Sequence, residues 1–194
     1  MQLAFAQCNN STFVLLTVSL LTPCEKVGKR MKMHPTTPPL KASLIVVSDR
    51  IANGIKPDHA ADKAVKLLEA AQIQVVYREI VREDEAAFTI ALEARLQSGD
   101  DIIITLGGTG TRRGNVVPEV TARHIAARLH GLETQVLLKG LESSPKAGLC
   151  RGVIGVSQYG HPTTLVINSA GSRGAVGDTL GVVLPLVDDI VREC

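Results

Sequence analysis

Residues 104–125 run ITLGGTGTRRGNVVPEVTARHI. The stretch begins inside a strand, Ile102–Leu106, whose mostly apolar residues suit a sheet covered on both faces. It turns through Gly107-Gly108-Thr109-Gly110 and enters a helix at Pro118-Glu119. Proline is pre-shaped for a first helical turn, and glutamate there meets the positive helix end. Glycines admit positive φ and let backbone N–H groups approach an anion with no Cβ in the way. Thr109 and Thr111 add hydroxyl donors, and Arg112 and Arg113 add positive charge. No Gly-Lys-Ser/Thr follows, so this is not a Walker phosphate loop. It is not GxGxxG either, and no acidic residue stands at the distance that ribose recognition needs. Taken alone, GGTG is better explained as an ordinary glycine turn flanked by surface arginines.

On both sides of this stretch, strands alternate with amphipathic helices. Residues 43–47 (SLIVV) form a β-branched run ending in Ser48-Asp49-Arg50. Beyond a loop with Asn53-Gly54 and Pro57, Ala61, Ala64, Val65 and Leu68 recur on one helix face. Ile73–Val81 reads as a strand, and Ala87, Ile90, Ala91 and Ala94 repeat the helical spacing. Ala122, Ile125, Ala126 and Leu129 predict a further helix stopped near Gly131. Residues 152–156 and 163–168 flank Tyr159-Gly160 as a hairpin. Val176, Thr179, Leu180 and Val183 begin a last helix, interrupted at Pro185. The alternation predicts an α/β domain over residues 41–194: a doubly wound, mostly parallel sheet with helices on both faces. In such sheets ligands collect beyond the carboxyl ends of strands, where Ser48-Asp49-Arg50 and the GGTG loop both fall.

Composition narrows the function. Of 194 residues, 45% are apolar, enough for a sizeable core, but only 3% are aromatic and none is Trp. A core of Val, Leu, Ile and Ala leaves no stacking platform for single-stranded nucleic acid. The formal charge of +2 is uneven: residues 1–40 carry +3, leaving −1 for the rest. A near-neutral body argues against a polyanion partner, so no nucleic acid is expected. Cys8, Cys24, Cys150 and Cys194 form no CxxC pair, and the five histidines show no zinc spacing. A reducing, cytoplasmic setting follows most simply. Residues 13–21 (FVLLTVSLL) are too short to span a bilayer, and the basic residues follow rather than precede them. With the HPTTPP segment at 34–39, residues 1–40 read as a poorly ordered leader with no membrane role. Met31 and Met33 stand just ahead of the domain as alternative starts.

The 104–125 stretch resembles the MogA/MoaB family of molybdenum-cofactor biosynthesis proteins, which includes the G domain of gephyrin. That family has a strand, GGTG, three variable positions, Arg-Asp or Gly-Asp, and Pro-Glu two residues later. Other pieces follow in the family's order. VVSDR (46–50) with Gly54 and Asp58 matches its opening motif, and Arg151 with Gly155 its S-R-x-x-x-G element. SAGSRGAV (169–176) is similar to its L-P-G-S turn into the final helix. The resemblance spans about 41–194 and implies a homotrimeric molybdopterin-binding fold, acting with partners of that pathway. Active members transfer AMP from Mg-ATP to the pterin phosphate, releasing pyrophosphate.

Carried onto this chain, the resemblance places Ser48 and Asp49 at the pterin side and Gly107, Gly108, Thr109 and Gly110 around phosphates. Glu119 would order the loop. Gly171 and Ser172 would offer donors at a helix start, with Arg173 beside them for a phosphate. Mg²⁺ would need carboxylates, for which Asp49 and Asp58 are the candidates, with Glu83 or Asp84 upstream. The sequence departs from the family where its key aspartate becomes Asn115, which carries no charge and cannot act as a base. Val117 replaces a capping threonine, and Cys150 replaces the serine before Arg151. The expected catalytic set is therefore Asn115, Asp49 and Asp84. The alternative is a weakened or inactive pterin carrier of the same pathway. An unrelated nucleotide-binding module is the third possibility.

Overall fold

A computed structural model of the chain describes residues 38–192. The leader expected over residues 1–40 thus lies, through residue 37, outside the described residues. Leu40, placed with that leader by sequence, is buried in the core.

Three strands form the centre of the molecule: β1 (Lys41–Val47), β3 (Ile102–Leu106) and β6 (Leu165–Ser169). β1 pairs in parallel with β3 and with the edge strand β2 (Gln74–Val81), and β3 pairs in parallel with β6. Two short strands, β4 (Ala127–Arg128) and β5 (Ile154–Val156), complete the sheet antiparallel to their neighbours. The order is β2-β1-β3-β6-β5-β4, a mostly parallel six-stranded sheet. Consecutive strand residues face opposite sides, so an all-apolar strand feeds two cores. Leu44, Val46, Ile104 and Ile167 pack on one face against α2 (His59–Ala70), α5 (His130–Leu141), α6 (Arg173–Val183) and α7 (Val187–Arg192). Ile45, Val47, Ile103 and Val166 pack on the other against α3 (Glu85–Gln97) and α4 (Val117–Ala122). The doubly wound expectation holds.

Local details differ from the periodicity reading. On α3 the inward residues are Phe88, Ala91 and Leu92, whereas Ile90 is 69% exposed and Ala94 is exposed. The expected helix over 122–129 is not formed. α4 ends at Ala122; beyond it, the N–H of Ala126 donates to Val156 and that of Leu129 to Ile154, which draws the chain into the sheet edge. Gly131, expected to stop a helix, instead lies in the first turn of α5, with Leu132 and Gly140 facing inward. The final helix behaves as expected: after α6 a single 3₁₀ turn carrying Pro185 leads into α7.

Candidate anion-binding site

The parallel strands β1, β3 and β6 all end on one side of the sheet. There they enclose a cleft of about 350 Å³, a size typical of small-molecule sites. Its floor is the GGTG loop. Gly107 has φ +103, and a Cβ there would sit 2.4 Å from the carbonyl oxygen of Val47. Gly108 has φ +64, and its Cβ would meet the Val117 side chain at 2.5 Å. The backbone of β3 therefore turns against β1 only because both residues are glycine.

Hydrogen bonds show which groups the protein keeps for itself. The Gly107 N–H donates to Ser169 O at 2.9 Å, and the Gly110 N–H donates to Asn115 Oδ1 at 3.3 Å. Asn115 is 9% exposed, and its Nδ2 donates to Arg112 O at 3.0 Å. Among the described residues, no acceptor is paired with the N–H of Gly108 or Thr109. The cradle thus has two amides to offer rather than the whole run of 107–110.

The other walls come from Ser48 and Ile51 after β1, and from Ala170, Gly171 and Ser172 after β6. Ser172 caps α6, its Oγ accepting from Ala175 N at 3.2 Å, so the positive end of an eleven-residue helix borders the cleft. Four cations line it, Arg50, Lys56, Arg112 and Lys146, against one acid, Glu83. This charge ratio, with two open amides and a helix start, suits a ligand carrying several negative charges.

The carboxylates expected from sequence divide between two fates. Asp49 opens the short α1 (Asp49–Ala52), and its Oδ1 accepts from Glu83 N at 3.1 Å, which ties the β1 end to the Glu83 segment. Asp58 lies away from the cleft wall: it caps α2 through Ala61 N and pairs with Arg78 at 2.7 Å. Burial works against the Arg78 charge, but its hydrogen bonds to the Asp58 and Asp62 carboxylates outweigh that and raise its pKa. Both Asp58 oxygens are thus engaged within the protein. Asp84 caps α3, accepting from Ala87 N at 2.9 Å. Helix capping accounts for both residues. Arg173 is the exposed first residue of α6 and lies off the wall. Glu119 also lies off the wall, where it pairs with Arg151.

Cys150, which stands where the family has a serine, is exposed on the cleft rim with Sγ 3.5 Å from Thr109 Oγ1. His124 and His130 contact Glu93 and Glu133 and take no part in the cleft. Among the described residues no group of three His, Cys, Asp or Glu could hold a metal ion. Sequence reasoning missed Lys56, Lys146 and the clasping role of Arg151. Only Arg151 had a signal, its place in a recognised motif.

A cleft of this kind on this sheet order narrows the choice of family, and comparison with known proteins decides it. Residues 43–189 match the family described as the probable molybdopterin binding domain. The chain belongs to that family. It is 30% identical over 157 residues to the molybdenum cofactor biosynthesis bifunctional protein of Chlorobaculum tepidum, covering 79% of this chain. The match spans only 46% of that relative, so the chain corresponds to about half of it. The molybdopterin adenylyltransferase of Haemophilus influenzae is 27% identical over 144 residues, covering 73% of this chain and 71% of the relative. A molybdopterin biosynthesis protein from Mycobacterium abscessus matches with a TM-score of 0.74 at 32% identity, covering 80% of this chain and 96% of that structure. Structures of MogA (33% identity, TM-score 0.72) and of a MoaB enzyme (28% identity, TM-score 0.71) also match, so the fold is the MogA/MoaB type expected from the motifs. Among the described residues no helix is long and apolar enough to cross a membrane.

Proposed function

We propose that this cleft binds molybdopterin by its phosphate and, with Mg-ATP, transfers AMP onto that phosphate. The observation that carries the reading is the floor of the cleft. Two unpartnered amides, those of Gly108 and Thr109, lie among four cations at the start of a long helix. In the transfer, an oxygen of the pterin phosphate forms a bond to the α-phosphorus of ATP. The α–β bridge breaks, and pyrophosphate leaves with the electron pair. Little covalent work falls to the protein in such a step; positioning and charge neutralisation dominate. Arg50, Lys56, Arg112 and Lys146 would offset the clustered phosphates, and the Gly108 and Thr109 amides would orient one of them.

Mg²⁺ keeps several waters and needs only one or two protein carboxylates when phosphates supply the rest. Glu83 on the wall, with Asp49 hydrogen-bonded to its backbone, fits that demand. Asn115 takes no proton here, since an amide is no base, and its oxygen is committed to the Gly110 N–H and its Nδ2 to Arg112 O. This commitment favours a second reading, a pterin-binding carrier without transfer activity. The chain is further proposed to assemble as a homotrimer, a form for which the exposed Leu137, Leu138 and Leu141 of α5 offer apolar surface.

Titration calorimetry with molybdopterin, followed by a pyrophosphate-release assay with Mg-ATP, tests the proposal. Binding followed by Mg-dependent release, lost in Glu83→Gln, is the expected result. Binding without release would leave the carrier. Absence of molybdopterin binding would overturn both readings.

A further inference from the structure

Arg151 lies behind the glycine loop, between α5 and β5. Its backbone N–H donates to Thr109 O at 3.0 Å. Its side chain donates to Gly110 O from both Nε at 3.0 Å and Nη2 at 2.8 Å, and Nη2 also reaches Asn115 O at 2.7 Å. Nη1 pairs with the Glu119 carboxylate. One residue therefore gathers three loop carbonyls and the first turn of α4. Of these, the Gly110 and Asn115 carbonyls and the Glu119 carboxylate are held by the side chain, and only a planar, many-donor guanidinium spans those three at once.

The seat of Arg151 is itself fixed from the core. Asn168 on β6, 3% exposed, accepts from the Val153 N–H through Oδ1 at 3.2 Å. Its Nδ2 donates to Thr105 on β3 at 2.9 Å and to Thr121 on α4 at 3.0 Å. The clasp thus hangs from a satisfied buried network joining β3, β6 and α4, which gives it little room to drift. Glu119 registers the contact. Burial pulls its carboxyl upward, but the hydrogen bond from Arg151, its own backbone N–H and the charges of Arg151 and Arg123 leave it below the ordinary carboxylate range.

We propose that Arg151 is the positioning residue of the anion cradle: by holding the carbonyls of Thr109, Gly110 and Asn115 together with Glu119, it keeps the Gly108 and Thr109 amides available to a phosphate. The proposal rests on the reading of the cleft as a phosphate site. Arg151 is not on the cleft wall, so it acts through the loop rather than by touching the ligand. This separates geometry from charge. Arg151→Lys keeps the charge but cannot span the acceptors, so it should behave like Arg151→Gln.

Inorganic pyrophosphate is the probe, titrated calorimetrically into the full chain well below the thermal transition, with circular dichroism confirming the fold. Both Arg151 variants should raise Kd by at least about tenfold, as expected when donors are misplaced. Glu119→Gln removes one anchor at an exposed site and should raise Kd about threefold, a fraction of that cost. If the Arg151 variants fail to fold, Glu119→Gln alone decides the outcome, and an unchanged Kd overturns the proposal. Wild-type affinity in Arg151→Lys would overturn it in favour of charge, and wild-type affinity in both variants would reduce Arg151 to a stability residue. No pyrophosphate binding by the wild-type chain would also overturn it, while molybdopterin titration tests the function independently. Conversely, pyrophosphate binding that responds to Arg151 without molybdopterin binding keeps the clasp and removes the function.

Discussion

The two ends of the parallel sheet are built from similar residue types and do opposite things. At the amino end, Asp100 is 5% exposed, accepts from Ser43 Oγ at 2.6 Å and lies 3.9 Å from Arg95. Its backbone oxygen accepts from Thr164 Oγ1, and Asp101 accepts from the Lys41 N–H. Every polar group named there has a protein partner. At the carboxyl end, the loop carbonyls and Asn115 are equally well paired, but two amides are left over and four cations face the cleft. Buried polar groups are normally satisfied, and this unsatisfied pair beside a concentration of positive charge is what the proposed anion site rests on.

The sharpest way to break this contrast is Gly108→Val. The new side chain meets Val117 and forces a β-branched residue into positive φ. Overpacking and backbone strain together should cost about 3 kcal/mol in urea denaturation and abolish pterin binding. Retained binding would mean that the loop is not the floor of the site. Next in size is Asp100→Ala at the opposite end. It orphans the Ser43 hydroxyl and should cost about 1–3 kcal/mol while leaving pyrophosphate affinity unchanged. A changed affinity would deny that the two ends are independent.

Asn115→Asp sharpens the contrast from within the cleft. The aspartate would set an acceptor where Nδ2 now donates to Arg112 O, at a position 9% exposed. Stability should fall by about 1–2 kcal/mol at neutral pH, with no gain in AMP transfer. A large gain would show that missing charge, rather than loop geometry, limits the reaction.

The smallest effect is expected beside β5, at Glu133. Burial pushes its carboxyl upward, but hydrogen bonds from Arg128, the Ile154 N–H and His130, with the Arg128 charge, leave it below the ordinary range. A depressed folded pKa means that its stabilisation is complete above the unfolded carboxyl value. That stabilisation is lost as pH falls from about 5 through the folded value. Glu133→Gln should therefore flatten the acid limb of the stability curve and leave neutral-pH ligand binding untouched.

Much of the fold was legible because its centre is repetitive. β1, β3 and β6 are predominantly apolar and almost wholly buried, and α2 repeats its apolar face regularly, so local pattern and tertiary environment agree there. Residues 122–131 misled because four apolar positions at helical spacing also suit a sheet edge. Pairing with Val156 and Ile154, some thirty residues away, decided the matter. Ile90 misled for the converse reason: α3 turns its Phe88 face to the sheet, and nothing in its own spacing ranks Phe88 above Ile90. In the site, Ser48 and the glycine loop were visible as loops following strands, and Gly171 and Ser172 only through the family resemblance. Asp58 and Asp84 were visible too, but helix caps and metal ligands use the same residue type, and only their partners tell them apart.

By itself, then, the amino-acid sequence determined the strand–helix alternation, the glycines at 107 and 108, and the family these imply. Each is dictated by local sterics or by short-range periodicity. The tertiary structure alone decided that two amides stay open, that Asn115 is bound into its own loop, and that Arg151 clasps the loop from behind. Those outcomes depend on which donors meet which acceptors across separations such as the 41 residues between Gly110 and Arg151, and hydrogen-bond partners that distant are set by packing rather than by neighbours in the chain.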